Sequence, residues 1–389
     1  MLAVLPGTEV PESVPAFWPS FLLAVAATSI TLGIMWDISW HETIGRDTFW
    51  TPAHMAIYLG GVLGGCVSGW LAFQCTFLAG PAARDAAVRI FGARAPLGAW
   101  VSMWGALAMI TSAPFDNWWH DAYGLDVKII SPPHTVLGLG MFAMVFGALL
   151  LVLTRQNWLE NGEGSGLFIY VGGLFVVMAA VFVLEYTFPN QQHAALFFQV
   201  CSVTFPFRMV CLGRAARTSW PVTRVAAVFM LIECLMLWIL PLFPAQPKLA
   251  PILNPVTHMV PLPFPLLLIF PAVAVDLVLR WCGGATGWRR VAAALLLAAV
   301  FLAIFVPVQW FFSEFMISPR ADNWFFAGNR VWSYGSTRGE WTTRFWRVNP
   351  AGADANLLTL RALLVALTLG AATSWLGLLL GGWMRKVRR

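Results

Sequence analysis

The sequence predicts an all-α fold: a polytopic transmembrane helical bundle of about ten spans, with both termini cytoplasmic. Three observations predict it. Only 11% of the 389 residues are charged and 59% are hydrophobic; a typical soluble domain carries about 25% charged residues. So few charges could not cover the outside of a water-soluble protein of this size. The apolar residues also fall in runs of roughly 20, the length a helix needs to cross hydrocarbon. Finally, a helix satisfies its backbone N–H and C=O groups internally, whereas an open strand edge cannot sit in lipid. A soluble enzyme, a disordered chain and a secreted disulfide scaffold are excluded together.

Taken in order, the apolar segments lie near residues 17–36, 53–80, 97–115, 134–154, 166–188, 194–213, 222–243, 262–281, 290–313 and 357–384. Before the first of them stand Glu9, Glu12 and three prolines, with no basic stretch. That argues against a cleaved signal peptide, so the first segment is expected to stay as a membrane helix. Orientation follows from the basic residues. One set of segment ends carries 15 of the 24 Lys and Arg, among them Arg84, Arg89, Arg94, Arg155, Arg214 and Arg217 and the C-terminal Arg385, Lys386, Arg388 and Arg389. Five of the remaining nine belong to or border one long loop, and long loops weigh little in the positive-inside rule. The net charge of +6 therefore reports loop topology and not a nucleic-acid partner. The six cysteines form no CxxC pair and read as small apolar packing residues. All six histidines fall at the end of the segments opposite to the basic one, which points to the outer face as the place of chemistry.

Two of the outer loops share a pattern. The first reads WDISWHETIGRDTFWTPAH (36–54) and the second FDNWWHDAYGLDVKIISPPH (115–134). Asp37, His41 and His54 are separated by steps of 4 and 13; Asp116, His120 and His134 by steps of 4 and 14. Asp and His four apart share one face of a helix, and in each loop the second His opens the next span after a proline. Each loop is thus expected to fold back and present two imidazoles and a carboxylate. That donor set suits copper, zinc or iron, and three protein ligands leave coordination positions open, as catalytic metal sites do. The bland alternative is an interfacial Asp–His pair that anchors a helix end; the repetition of the pattern weighs against it. Asp47 and Asp126 occupy equivalent places in the two loops and are candidates to orient the rings, and Arg46 to pair with a carboxylate. Glu42 and Asp121, which follow the first His of each loop, read mainly as solvated charges. His193 and His258 lack the Asp and read as satisfied interfacial histidines. Glu233 and Asp276, within spans, are costly unless partnered and read as structural hydrogen-bond partners or proton-relay groups. Trp36, Trp40, Trp50, Trp118 and Trp119 crowd the same face as an aromatic belt.

The first loop resembles the metal-binding segment of the C subunit of the copper-containing membrane monooxygenases, the particulate methane and ammonia monooxygenases. The shared string is Trp40-His41, Thr43, Arg46-Asp47-Thr48, Thr51-Pro52 and His54. The second loop resembles the second copper set of that subunit, where the family has Asn in place of Asp116; the harder carboxylate shifts preference towards zinc or iron. The strong resemblance covers about residues 36–155. Residues near 262–350 are similar in layout to the A subunit, through PLPFPLLLIF, Asp276 and NRVWSYGSTRGEW. The resemblance implies a C-like part in residues 1–160 and a six-helix, A-like part in 161–389. It implies copper on Asp37, His41 and His54, and copper, zinc or iron on Asp116, His120 and His134. It also implies oxidation of a small apolar molecule or ammonia at the outer face of a bacterial-type inner membrane, with Asp37, His41 and His54 as the catalytic set. A homo-oligomer and a separate cupredoxin-like subunit are expected, since nothing in this chain is long or polar enough to be that subunit's soluble domains. Each set joins adjacent spans, and the two sets are expected to lie together as one oxidising centre. The alternatives are a non-enzymatic copper-handling protein and a subunit whose metals only staple helices. Ligands clustered at one face argue against a transport path, and open three-ligand sites against a staple.

Overall fold

The computed structural model describes residues 16–124, 131–159, 164–282, 284–337, 345 and 357–389. Apart from one two-stranded hairpin and two isolated bridges, the regular structure among them is helical. The helices are α1 (Phe17–Thr43), α2 (Pro52–Phe73), the short α3 (Pro81–Ala86), α4 (Leu97–Tyr123), α5 (Pro132–Leu159), α6 (Ser165–Phe182), α7 (Ala195–Ala215), α8 (Pro221–Ile239), α9 (Ile269–Trp281), α10 (Trp288–Met316) and α11 (Leu360–Met384). A π-helical turn, Gln74–Leu78, prolongs α2 and a 3₁₀ turn, Leu240–Leu242, prolongs α8. Strands β1 (Val88–Ile90) and β2 (Ala93–Ala95) pair antiparallel, with Arg89 opposite Arg94. The turn between them uses Phe91 and Gly92, both at positive φ, the backbone a tight hairpin demands.

Eight of the described helices are long and apolar enough to cross a membrane: α1, α2, α5, α6, α7, α8, α10 and α11. The chain is a multi-pass membrane protein of the all-α class. The other two expected segments take different forms. The third becomes α4, 27 residues long but diluted by Gly, Ser and Trp and polar at its end. The eighth is helical over only 13 residues. Residues 260–267 before it form no regular secondary structure and are almost wholly buried, because Pro261, Pro263 and Pro265 remove N–H donors and bar the preceding residues from helical backbone.

The chain forms two compact units. One comprises Met1–Thr28, Tyr58–Val171 and Met384–Arg389; the other comprises Ser29–Ile57 and Gly172–Trp383. The first ligand loop lies in the second unit and the second ligand loop in the first.

In the first unit α4 and α5 pack at backbone distance. A Cβ on Gly98 would lie 2.5 Å from the carbonyl oxygen of Gly147, and one on Gly105 2.8 Å from that of Gly140. Small residues at this spacing let membrane helices approach closely where no hydrophobic force drives them together. In the second unit Gly33 of α1 meets Ile57 and the carbonyl of Ala53, and Ser29 donates to the Ala56 carbonyl at 2.6 Å. This holds the end of α1 against the beginning of α2. Phe197, Phe198, Phe301 and Phe305, stacked across α7 and α10, form part of the core of that unit.

Candidate metal centres

Asp37 and His41 sit one turn apart near the end of α1, and His54 is the third residue of α2. The helix termination between them is specific. Gly45 takes φ +80° and its N–H, with that of Ile44, bonds back to the Trp40 carbonyl, a left-handed C-terminal cap that glycine adopts without strain. Thr51 then opens α2: its hydroxyl accepts from the Thr48 N–H at 2.8 Å, and its carbonyl accepts from the Met55 N–H. The end of α1 is pinned from outside the loop as well. Ser39 donates to the Val260 carbonyl, Thr43 accepts from the Val260 N–H, and the Glu42 carbonyl accepts from the Tyr334 N–H.

This scaffold brings the expected residues together. The Nε2 atom of His54 lies 3.1 Å from Asp37 Oδ1, and that of His41 lies 3.9 Å from Asp37 Oδ2. One ligand atom from each of the three can be chosen so that all lie within 4.8 Å of one another. Ligands held about 2.0–2.1 Å from a tetrahedral ion stand roughly 3.3–3.4 Å apart, so the group has the dimensions of a metal site. Its polarity fits too. The Nδ1 atom of His54 is 2.9 Å from the Thr48 carbonyl. With Nδ1–H donating there, the Nε2 lone pair faces Asp37 Oδ1, a buried oxygen that receives no well-formed hydrogen bond. Such a contact is satisfied either by a proton on Nε2 or by a metal ion held between the two atoms. Asp47 adds a finding the spacing did not foretell: its Oδ2 is 3.6 Å from His41 Nε2 and 3.4 Å from His54 Nε2. Its carboxylate therefore lies beside both Nε2 atoms, although the group whose ligand atoms all lie within 4.8 Å of one another comprises only Asp37, His41 and His54. Arg46 is exposed; its carbonyl accepts from Trp40 Nε1, and among the described residues its guanidinium forms no ion pair with a carboxylate.

The second set repeats the geometry with other supports. Asp116 and His120 stand one turn apart near the end of α4, and His134 is the third residue of α5. Asp116 Oδ1 lies 3.4 Å from the Nε2 atoms of both His120 and His134, and it too receives no well-formed hydrogen bond. The imidazoles stand at 63° with centroids 6.5 Å apart. The close α4–α5 packing is what sets these helix ends side by side. The expected ring-orienting Asp126 lies outside the described residues.

These two groups, and no others among the described residues, could hold a metal ion through three His, Cys, Asp or Glu side chains. The remaining candidates have structural surroundings. His193 is buried and stacked between Trp310 and Phe345, with centroids 3.6 and 3.4 Å away. His258 meets the Thr257 hydroxyl. Asp276 caps the start of α8, accepting from the N–H of Val222 and from both the N–H and the hydroxyl of Thr223. That accounts for a carboxylate inside a span without a chemical role. Compared with known proteins, the chain matches no family model, no curated protein and no solved structure.

Proposed function

We propose that the chain is a copper-dependent membrane monooxygenase, or a subunit of one, that oxidises a small apolar substrate or ammonia with dioxygen. The observation that carries the reading is the convergence of Asp37, His41 and His54, with Asp47 beside them, where imidazole nitrogens and carboxylate oxygens face each other. The likeness of this loop to the copper segment of the methane and ammonia monooxygenases supports copper as the ion. Imidazole with carboxylate stabilises the oxidised ion while leaving positions open. Bound there, copper would supply the one-electron chemistry that dioxygen requires. The reaction places one oxygen atom in a C–H or N–H bond and reduces the other to water, using two electrons and two protons from an external donor.

The chain's own residues hold the donor set in order. The Thr48 carbonyl fixes the His54 ring, and the Gly45 cap and the Val260 hydrogen bonds fix the end of α1. Asp37 and Asp47 bring the negative charge that balances a divalent ion. A small, mainly apolar pocket touches Ile38, Ser39 and Glu42 of the same helix turn, with Val260 and Leu262 among its other walls. In this reading the ligand sets lie at the outer face of a bacterial-type inner membrane, and the second holds copper, zinc or iron. A cupredoxin-like subunit delivers electrons within a homo-oligomer. The exposure of His41, 47% of its side chain, favours one alternative, a protein that exchanges copper with its surroundings.

Metal analysis and copper electron paramagnetic resonance of the purified protein test the reading. Replacing His41 and His54 together with Ala should remove close to one copper equivalent and leave the helical circular dichroism intact. A double variant that keeps its full copper content refutes the site. Turnover of ammonia or a light alkane with a supplied reductant separates the enzyme from the copper handler.

A further inference from the structure

A second pocket lies in the unit formed by Ser29–Ile57 and Gly172–Trp383, and it is built around a carboxylate that the metal chemistry does not use. Glu233 is 7% exposed and lines this pocket with Thr187, Phe229 and the non-helical stretch Leu262–Leu266. Among the described residues it has no hydrogen bond and no ion pair. It stands about 18 Å along a span about 33 Å long, near mid-depth. A charged group there is costly, and is retained where it holds something.

The surroundings say what it would hold. Backbone outside a helix is tolerated at membrane depth only where it is buried in protein or lines a cavity, and unwound carbonyls at such places coordinate small cations. The stretch from Val260 to Leu267 has left the helix; the Val260 carbonyl accepts from Ser39 and the Leu266 carbonyl from the Leu268 N–H, whereas the carbonyls of Leu262–Pro265 accept no hydrogen bond among the described residues. Thr187 spends its hydroxyl proton on the Leu184 carbonyl, 3.1 Å away, so that its oxygen lone pairs stay available. No Lys, Arg or His lines the pocket. A single carboxylate neutralises a single positive charge; a divalent ion would leave excess charge among Phe, Leu and Val side chains. The pocket has room for about one water-sized particle.

We infer that Glu233, Thr187 and carbonyls of the non-helical 262–265 stretch form a binding site for one sodium-sized monovalent cation at mid-membrane depth. The inference is independent of the metal centres. The ion joins α8 to a segment that lacks helical hydrogen bonds, and so stabilises the fold around the Val260 clamp on α1.

The test uses the full chain in detergent micelles. Equilibrium binding of radiolabelled sodium should saturate at about one ion per chain, and the thermal midpoint should rise saturably in sodium chloride over choline chloride at equal ionic strength. Glu233→Gln should abolish both. Thr187→Val, which keeps the carboxylate, should weaken sodium binding roughly tenfold at unchanged stoichiometry, and it decides the matter should Glu233→Gln fail to fold. Absence of saturable sodium binding by the wild type, or its survival in Glu233→Gln, overturns the site. So does an infrared band of a protonated carboxyl that persists in saturating sodium and disappears in Glu233→Gln, since the occupant is then a proton. Copper content measured on the same samples keeps this result separate from the fate of the metal centre.

Discussion

Asp47 shows how much of the site was legible from residue types and how much needed the fold. The 4-and-13 step pattern marks Asp37, His41 and His54 because an i, i+4 pair and a helix-opening His are local features. Asp47 lies in the loop between them, where spacing gives no direction, and only the folded Gly45–Thr51 segment turns its carboxylate to within 3.4 and 3.6 Å of the two Nε2 atoms. If it acts with the ligands, Asp47→Asn should weaken copper binding about 10–100-fold in competition with a chelator, the loss typical when a partner of a metal site is removed. A merely solvated loop charge would leave the affinity unchanged. Binding should also weaken on acidification, since a protonated imidazole cannot ligate.

At the scale of elements, the two sets rest on different devices. The first depends on a capped loop held by hydrogen bonds from Val260 and Tyr334, none of which a local reading could find, because the partners are some 200 residues or more distant in sequence. The second depends on the glycine contact between α4 and α5. That contact is written in the sequence as Gly98, Gly105, Gly140 and Gly147, but its meaning emerges only when the two helices are paired. The boundary of the eighth segment was misjudged for a comparable reason: hydropathy counts Pro261, Pro263 and Pro265 among apolar neighbours, whereas their missing N–H groups unwind the chain. Replacing Gly105 with Leu should drive α4 and α5 apart, since even a Cβ there would stand 2.8 Å from both the Gly140 carbonyl and the Met144 N–H. Overpacking of this kind costs about 1–3 kcal/mol. The expected outcome is a lower thermal midpoint, with metal lost from Asp116, His120 and His134 and retained by Asp37, His41 and His54. Equal loss from both sets, or from neither, would contradict the assignment of that contact as the support of the second set.

For the whole molecule, the membrane class follows from composition, but the number of crossings does not. Eight helices qualify by length and apolarity, while α4 and the non-helical stretch leading into α9 sit at the margin. The positive-inside rule bears on the margin. If α4 failed to cross, the segment with Arg84, Arg89 and Arg94 and the end of α5 with Arg155 would face opposite sides, and so would the two ligand sets. If residues 260–281 failed to cross, Arg280, Arg289 and Arg290 would be parted from Arg214, Arg217 and Arg224. Ten crossings would keep all of these basic residues on one side, the arrangement that the bias of basic residues towards the cytoplasm favours. Exposed positions at each end of α4 can be labelled. On a background without the native cysteines, Trp50→Cys and Trp118→Cys, 72% and 55% exposed in the wild type, should react with a membrane-impermeant maleimide in intact cells. Arg89→Cys should react only after lysis. Labelling of Trp50→Cys but not Trp118→Cys in intact cells would place the ends of α1 and α4 on opposite faces, and a shared oxidising centre built from both ligand sets would then be impossible.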